Sequence, residues 1–277
     1  MGEEICYLGG DRSLFAMTNA AEINPEQVYA LVVGVETYEI DRDKPLNGPA
    51  RDGLNFIEWL LSKDVPTENI AFFVSPSHQN RDVLLSAQEQ DIMHASATLA
   101  NVEEYINSEL KADGAGGELL YVFWGGHGIV NRVDREERQL IFSDFTAATG
   151  RSIVIETLIE ALRTTRDVIF EKQIFFIDAC ANPIYPLGSP EANQSAKSAL
   201  RILSNGESYS TKEQYVLFAA DIDNTTINDS LEGTGIFSQI VLGELAKQAS
   251  LWPDLDAINR LVEDDNRSGR ASCRERV

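Results

Sequence analysis

The sequence predicts an α/β fold in which a mostly parallel, doubly wound sheet carries helices on both faces. Short apolar runs rich in β-branched and aromatic residues alternate with segments of helical periodicity. The apolar runs are continuous, which is typical of strands buried on both faces of a parallel sheet. The chain of 277 residues is also long enough to bury a large core without disulfides or metals.

Five apolar runs are predicted to form the strands of this sheet. In chain order they are 29–35, 70–74, 119–124, 173–178 and 215–220. The third run, LLYVFW, is the clearest, and it ends directly in Gly125-Gly126-His127-Gly128. The fourth run, QIFFID, ends at Ala179-Cys180.

Helices are predicted between these strands, where apolar residues recur three or four positions apart. The first begins at Pro49, a residue suited to the first helical position, and ends near Lys63. The second covers 99–110 and is ended by glycines. Ser152 is predicted to cap a third helix that runs to Leu162. Two more are predicted near 237–248 and 254–262.

The domain organisation follows from these patterns. We expect an N-terminal extension over 1–28 and one domain over 29–262. Within it, 183–212 is polar and far longer than ordinary connections, so we expect a mobile, functional loop. The end of the chain, 267–277, has no apolar face and carries four arginines, so we expect 263–277 to be a non-native or disordered tail.

Composition excludes several classes of protein. The net charge is −21, which argues against binding to nucleic acid or to an anionic membrane, because both need a basic surface. Three scattered cysteines do not make a disulfide scaffold, and neither a signal peptide nor an apolar run of membrane-spanning length is visible. We therefore expect a cytoplasmic protein.

Two residues at strand ends could carry chemistry together. His127 and Cys180 each follow a buried strand, and in such sheets ligands bind at the carboxyl ends of the strands. An imidazole near a thiol can take its proton and activate it as a nucleophile. The amides of Gly128 and Cys180 would be natural donors to a developing oxyanion. Alone, a buried Cys is ordinarily inert and a His after a strand often bonds a loop, but their matched placement favours catalysis.

These residues carry a resemblance to a known family. The strings YVFWGGHG and FFIDAC resemble the caspase-like cysteine peptidases, which include metacaspases, paracaspases and bacterial relatives of the C14 type. The strings VVGVETY, PLNGPARDGLNF, YVLFAA and GIFS follow the family's order and support the match from Tyr29 to about Leu245. Asp178 stands where caspases proper carry Gln, which moves the resemblance toward metacaspases and paracaspases. Ala181 and Asn182 depart from the residues usual after the cysteine.

The resemblance implies a caspase-like sheet and a cysteine endopeptidase with His127 and Cys180 as catalytic residues. Metacaspase-like enzymes cleave after Arg or Lys, and the matching acids of the specificity (S1) pocket are Asp52, Asp178 and Asp221. A fork of carboxylates suits a guanidinium. Each acid also has a simpler interpretation: first-turn helix carboxylate, turn former and solvated loop acid, respectively.

The resemblance also bears on cofactors and partners. No cofactor is expected to be required and no metal site is predicted, since the EF-hand-like acids after Asp221 have Thr226 where the loop needs Gly. Calcium, used by some metacaspases, is kept as an alternative. The expected partners are a protein or peptide substrate with a basic residue at P1, and a regulatory or sensor domain outside this chain.

Three functions remain open. The first is a zymogen-type peptidase that acts as an effector in bacterial stress or antiviral defence. The second is a catalytically silent caspase-like module that recruits partners. The third, a nucleotide- or phosphate-binding domain, is disfavoured because the sequence has no Gly-rich phosphate loop.

Overall fold

The apolar runs form one parallel sheet in the computed structural model. The structure describes residues 6–7, 23–110, 116–130, 137–146, 148–163, 170–179, 200, 213–219, 228–229 and 234–268. Its main sheet contains β1 (Cys6–Tyr7), β2 (Val28–Val35), β3 (Ile70–Ser75), β4 (Met93–Ala95), β5 (Gly117–Gly126), β9 (Phe170–Ala179) and β10 (Glu213–Phe218). The spatial order is β1-β10-β9-β5-β2-β3-β4, and every neighbouring pair is parallel. The predicted fold class is confirmed.

Smaller strands lie beside this sheet. An antiparallel three-stranded sheet contains β6 (Gly128–Val130), β7 (Arg138–Ile141) and β8 (Ser152–Val154). A two-stranded antiparallel pair contains β11 (Asn228–Asp229) and β12 (Thr234–Gly235). The first of these sheets begins one residue after His127, so it borders the predicted site.

Helices cover both faces of the main sheet. They are α1 (Pro49–Leu61), α2 (Asp82–Glu89), α3 (Leu99–Tyr105), α4 (Ile155–Arg163), α5 (Ile236–Lys247) and α6 (Leu255–Ser268). Alternate residues of β2 enter two separate cores: Leu31 packs with residues of α3 and α4, and Val32 packs with residues of α1, α2, α5 and α6. Alternation of this kind is what a strand buried on both faces requires.

Several predicted boundaries shift. The prediction that Ser152 caps a helix is wrong, because Ser152 lies in β8. Its hydroxyl donates to Gln139 Oε1 at 2.8 Å, whereas an N-cap hydroxyl accepts from an N–H of the first helical turn. The helix predicted over 99–110 is α-helical only over α3 (Leu99–Tyr105). It continues as a π-helical turn over Ile106–Leu110. Helix α6 extends to Ser268, beyond its predicted end.

Two glutamines on neighbouring strands form a buried polar pair. Gln173 and Gln214 sit opposite each other on β9 and β10. Gln214 donates to Gln173 Oε1 at 2.8 Å, and the two amides donate to carbonyls of α4, Gln214 to Ile159 at 3.2 Å and Gln173 to Leu162 at 2.9 Å. The pair therefore joins the two strands to the helix above them.

The predicted loop 183–212 lies outside the described residues except for Leu200, which is buried. The last residues of the chain, 269–277, also lie outside them. Within the described helices, none combines the length and apolarity needed to span a bilayer.

Candidate active site

The predicted site residues that the structure describes gather at the carboxyl edge of the main sheet. After β2, the next strands of the chain, β3 and β4, lie on one side of β2 in the sheet, and the later strands β5, β9 and β10 lie on its other side. The strand order therefore reverses between β2 and β5. Open α/β sheets bind ligands at such a reversal. His127 follows β5, Asp178 is the penultimate residue of β9, and Asp52 lies in the first turn of α1.

The register of β5 and β9 brings two motifs side by side. Gly125 is paired with Asp178, and Gly126 with Ala179. His127 comes directly after β5 in the sequence, and Cys180 comes directly after β9. Cys180 and Asp221 lie outside the described residues, so their roles as nucleophile, oxyanion donor and pocket acid stay predictions. Gly128, the other predicted oxyanion donor, begins β6 and is buried.

His127 is held through its backbone and packed through its ring. Its N–H donates to Tyr38 Oη at 2.7 Å, and its carbonyl accepts from Ile141 N–H at 3.1 Å. The Tyr38 and His127 ring centroids are 4.8 Å apart. Burial lowers the pKa of His127 to about 4, while the charge of Asp41 opposes this shift. At neutral pH the imidazole is therefore uncharged.

Asp52 and Asp178 are brought together against the start of α5. Both are buried, and each carboxylate accepts a hydrogen bond from this segment: Asp52 Oδ2 from Gly235 N–H at 2.8 Å, and Asp178 Oδ2 from the Ser238 hydroxyl at 2.7 Å. A Cβ on residue 235 would lie 2.3 Å from Asp178 Oδ2 and 3.4 Å from Asp52 Oδ2. The two acids therefore share one small volume.

The electrostatics of this pair are unfavourable without a cation. Burial raises the pKa of Asp52 to about 8, with a further increase from the negative charge of Asp178 and a smaller one from Glu36, against the hydrogen bond from Gly235. Burial also raises the pKa of Asp178 to about 6, against the hydrogen bonds from Ser238. Among the described residues, Asp52 Oδ1 is buried without a hydrogen-bond partner. A positively charged group would satisfy that oxygen.

A third buried acid, Glu36, fixes the helix that carries Asp52. It follows β2, and its carboxylate accepts four hydrogen bonds, from the N–H groups of Gly48, Ala50 and Ser77 and from the Asn80 amide, at 2.7–3.1 Å. Two of these donors belong to the start of α1, where a negative charge also interacts favourably with the helix dipole. Glu36 therefore determines where Asp52 lies.

Sequence reasoning missed Glu36, Tyr38, Gly235 and Ser238 as site residues. The strings VVGVETY and GIFS contain all four, but they served only as support for the resemblance. An ionisable residue directly after a buried strand, as at Glu36, was the available signal. No group of three or more His, Cys, Asp and Glu side chains in the described ranges is arranged to hold a metal ion.

Gly235→Ala is expected to destabilise the protein and disrupt the acid pair, because the added Cβ would lie 2.3 Å from Asp178 Oδ2. Gly243→Ala is the matched control, in the helix α5 that begins directly after Gly235. Its Cβ meets nothing within 4 Å, and alanine favours a helix over glycine by about 1 kcal/mol, so this variant should be slightly more stable. Thermal unfolding of both variants measures the difference. Equal stability of the two would contradict the close approach at residue 235.

Comparisons with known proteins identify the family of the chain. The peptidase C14 family model, described as the caspase domain, matches residues 27–275. Over 161 residues the chain is 30% identical to a protein named "Probable protease" from a Desulfuromonadales bacterium. That match covers 56% of this chain and 18% of the relative, so the chain spans less than a fifth of the relative's length.

Two solved structures are also similar. Caspase-1 from Spodoptera frugiperda matches with a TM-score of 0.45 and 14% identity, over 94% of this chain and 82% of that one. The Drosophila initiator caspase Dronc matches with a TM-score of 0.48 and 11% identity, over 99% of this chain and 90% of that one. Because the family model covers most of the sequence, the chain belongs to the caspase-domain family of peptidases.

Proposed function

We propose that the protein is a cysteine endopeptidase that cleaves peptide bonds after Arg or Lys. The observation that carries this proposal is the buried pair Asp52–Asp178, at the strand edge that also holds His127. Two carboxylates in one small volume attract a cation, and a P1 guanidinium or ammonium is the cation that a peptide substrate supplies. Asp221 is proposed as a third acid of this pocket.

In the proposed mechanism, Cys180 attacks the scissile carbonyl. Its thiol proton passes to His127, which is neutral before the attack; the lowered pKa of this histidine makes the imidazolium that forms a strong acid toward the leaving amine. His127 then gives that proton to the leaving amine as the peptide C–N bond breaks and an acyl-enzyme forms. The amides of Gly128 and Cys180 stabilise the oxyanion. Water hydrolyses the thioester and regenerates the thiol.

The proposal extends to the biological setting. We propose a cytoplasmic effector of bacterial stress or antiviral defence that is made as a zymogen and controlled by a sensor domain outside this chain. The length of the relative, of which the aligned region is 18%, supports further domains in such proteins. No cofactor is required in this mechanism, and calcium is proposed only as an activator to be tested.

The test is cleavage of fluorogenic peptides that differ only at P1, which is Arg, Lys, citrulline or Asp, with and without calcium. Citrulline has the shape of arginine without its charge. We expect cleavage after Arg and Lys, at least about 100-fold slower cleavage after citrulline because the charge pairing is lost, and none after Asp.

Lowering the pH from 8 to 5 should raise KM for the Arg peptide, because protonated acids no longer attract a cation.

The matched control for the nucleophile is a second cysteine. Cys180→Ala should abolish cleavage, whereas Cys273→Ser should leave it intact. Cleavage that persists in Cys180→Ala, or that is equally fast after citrulline, would refute the mechanism. No cleavage by the wild type, even after limited proteolysis of 183–212, would favour the catalytically silent binding module.

A further inference from the structure

Tyr38 connects two parts of the carboxyl edge through one buried hydroxyl. The residue is 2% exposed. Its hydroxyl donates to the Val35 carbonyl at 3.0 Å, at the end of β2, and accepts from His127 N–H at 2.7 Å, just after β5. A single oxygen therefore joins the ends of two neighbouring strands at the point where their own pairing stops.

The hydrogen bond between Tyr38 and His127 lies just beyond the last paired residues of β5. The registered pairs of β5 end at Gly125 opposite Gly34 on one side and at Gly126 opposite Ala179 on the other. The next residue, His127, is held at its N–H by Tyr38 and at its carbonyl by Ile141. Tyr38 thus supports the backbone of His127 from outside the strands of the main sheet.

The ring of Tyr38 constrains the imidazole as well. The two ring centroids are 4.8 Å apart with an interplanar angle of 41°, which is van der Waals contact. A residue that fixes both the backbone N–H and one face of the ring restricts where the ring nitrogens can lie.

The glycine before His127 makes room for this contact. Gly126 has φ +154°, and a Cβ on it would lie 2.7 Å from Tyr38 Oη. A side chain at 126 would push the hydroxyl away from His127. The strings VVGVETY and GGHG are therefore in contact in the structure: the hydroxyl of Tyr38, from the first string, occupies the space that a side chain at Gly126, in the second string, would need.

We propose that Tyr38 is a positioning residue that sets the backbone and ring of His127 for proton transfer. The inference rests on the proposed peptidase function and deepens it, because it adds a residue that acts on the reaction only through His127. Tyr38 itself does not need to touch the substrate.

The kinetic test is Tyr38→Phe, which keeps the ring and removes the hydroxyl. We expect kcat for the P1-Arg peptide to fall about 10- to 100-fold, since small misplacements of a catalytic group have effects of this size. KM should stay within about twofold, because the Asp52–Asp178 pair is held by Glu36 and α5 instead. Unchanged kcat in Tyr38→Phe would overturn the proposal.

Tyr121→Phe is the matched control. Tyr121 is also a buried tyrosine, and its hydroxyl donates to a backbone carbonyl, that of Leu251, in the core on the other face of the sheet. This variant should lose thermal stability to a similar degree and keep the wild-type kcat. A fall in kcat equal to that of Tyr38→Phe would mean that loss of any buried hydroxyl has this effect, and it would overturn the proposal.

A second variant and a second readout keep the test independent of folding and of activity. Gly126→Ala disturbs the same contact between Tyr38 and His127 by placing a Cβ against the Tyr38 hydroxyl. It should also lower kcat, while a wild-type kcat would count against the inference.

The chain has three histidines, so imidazole NMR signals are easily assigned. In resting Cys180→Ala protein, adding Tyr38→Phe should shift the signals of His127 but not those of His78 or His94, and unmoved His127 signals would overturn the inference. Because this measurement needs no catalysis, failure of the peptidase proposal would be seen separately, as absent Cys180-dependent cleavage.

Discussion

Replacing Asp52 by asparagine should abolish cleavage after Arg and, at pH 8, make the folded protein more stable. In the folded state the pKa of Asp52 is raised to about 8 from an ordinary value of 3.8. Between these two values the unfolded chain releases the proton while the folded protein retains it, so stability is lost as pH rises through this window. Asparagine stays neutral and can still accept the Gly235 N–H bond.

We expect the stabilisation by Asp52→Asn to be small near pH 4 and to grow to roughly 2–4 kcal/mol at pH 8, because each pKa unit corresponds to about 1.36 kcal/mol and the coupling to Asp178 reduces the full effect. Urea unfolding at both pH values measures it, and peptide cleavage measures the accompanying loss of activity. Opposite signs for stability and activity are typical of a residue kept for function.

Asp82→Asn is the control. Asp82 is an exposed acid whose side chain accepts a hydrogen bond from Arg51 at 2.6 Å, and this bond lowers its pKa. Its replacement should slightly destabilise the protein near neutral pH and leave cleavage unchanged, since surface ion pairs contribute little. If Asp52→Asn instead destabilises the protein equally at pH 4 and pH 8, Asp52 is a structural anchor and not an acid kept for a cationic ligand.

The second large effect is expected at Glu36. Glu36→Ala should destabilise the protein by about 3–5 kcal/mol, because it leaves four buried donors without their acceptor. The start of α1 would also be free to move, so the KM for Arg peptides should rise in whatever folded protein remains. Denaturant unfolding together with steady-state kinetics measures both effects.

Glu36→Gln separates the roles of the two carboxylate oxygens. One glutamine oxygen can still serve the three donors at Oε1, but its NH₂ group would face the Ser77 N–H in place of Oε2. The destabilisation should therefore be intermediate between wild type and Glu36→Ala. A Glu36→Ala variant as stable as wild type would show that these bonds contribute little.

The main sheet could be predicted because its strands are continuous apolar runs. β2, β3, β5, β9 and β10 all lie on predicted runs. Their ends differ by a few residues where polar positions join the strand, as with Glu171 and Lys172 in β9. Ser152 was misassigned because its hydroxyl bonds to Gln139, a partner fixed by tertiary structure and not by local sequence.

The site was predictable only in part, for the same reason. His127, Asp52 and Asp178 were found because each stands at a fixed place in a motif. Glu36, Tyr38 and Ser238 act through partners 41, 89 and 60 residues away in the chain, namely Ser77, His127 and Asp178. Hydrogen bonds over such separations leave no periodicity or spacing in a single sequence, so they needed the structure.

The glutamine pair of β9 and β10 has a consequence for how the chain folds. Apolar parallel strands could slide past each other by two residues and still bury similar side chains, so hydrophobicity alone selects the alignment weakly. Gln173 and Gln214 hydrogen-bond to each other and to the α4 carbonyls only in the observed register. Any shift of register would leave the two side-chain amides in an apolar layer without these partners. The hydrogen bonds of this pair thus make misaligned, kinetically trapped forms less stable when β10 pairs with β9, from which a long segment of the chain separates it.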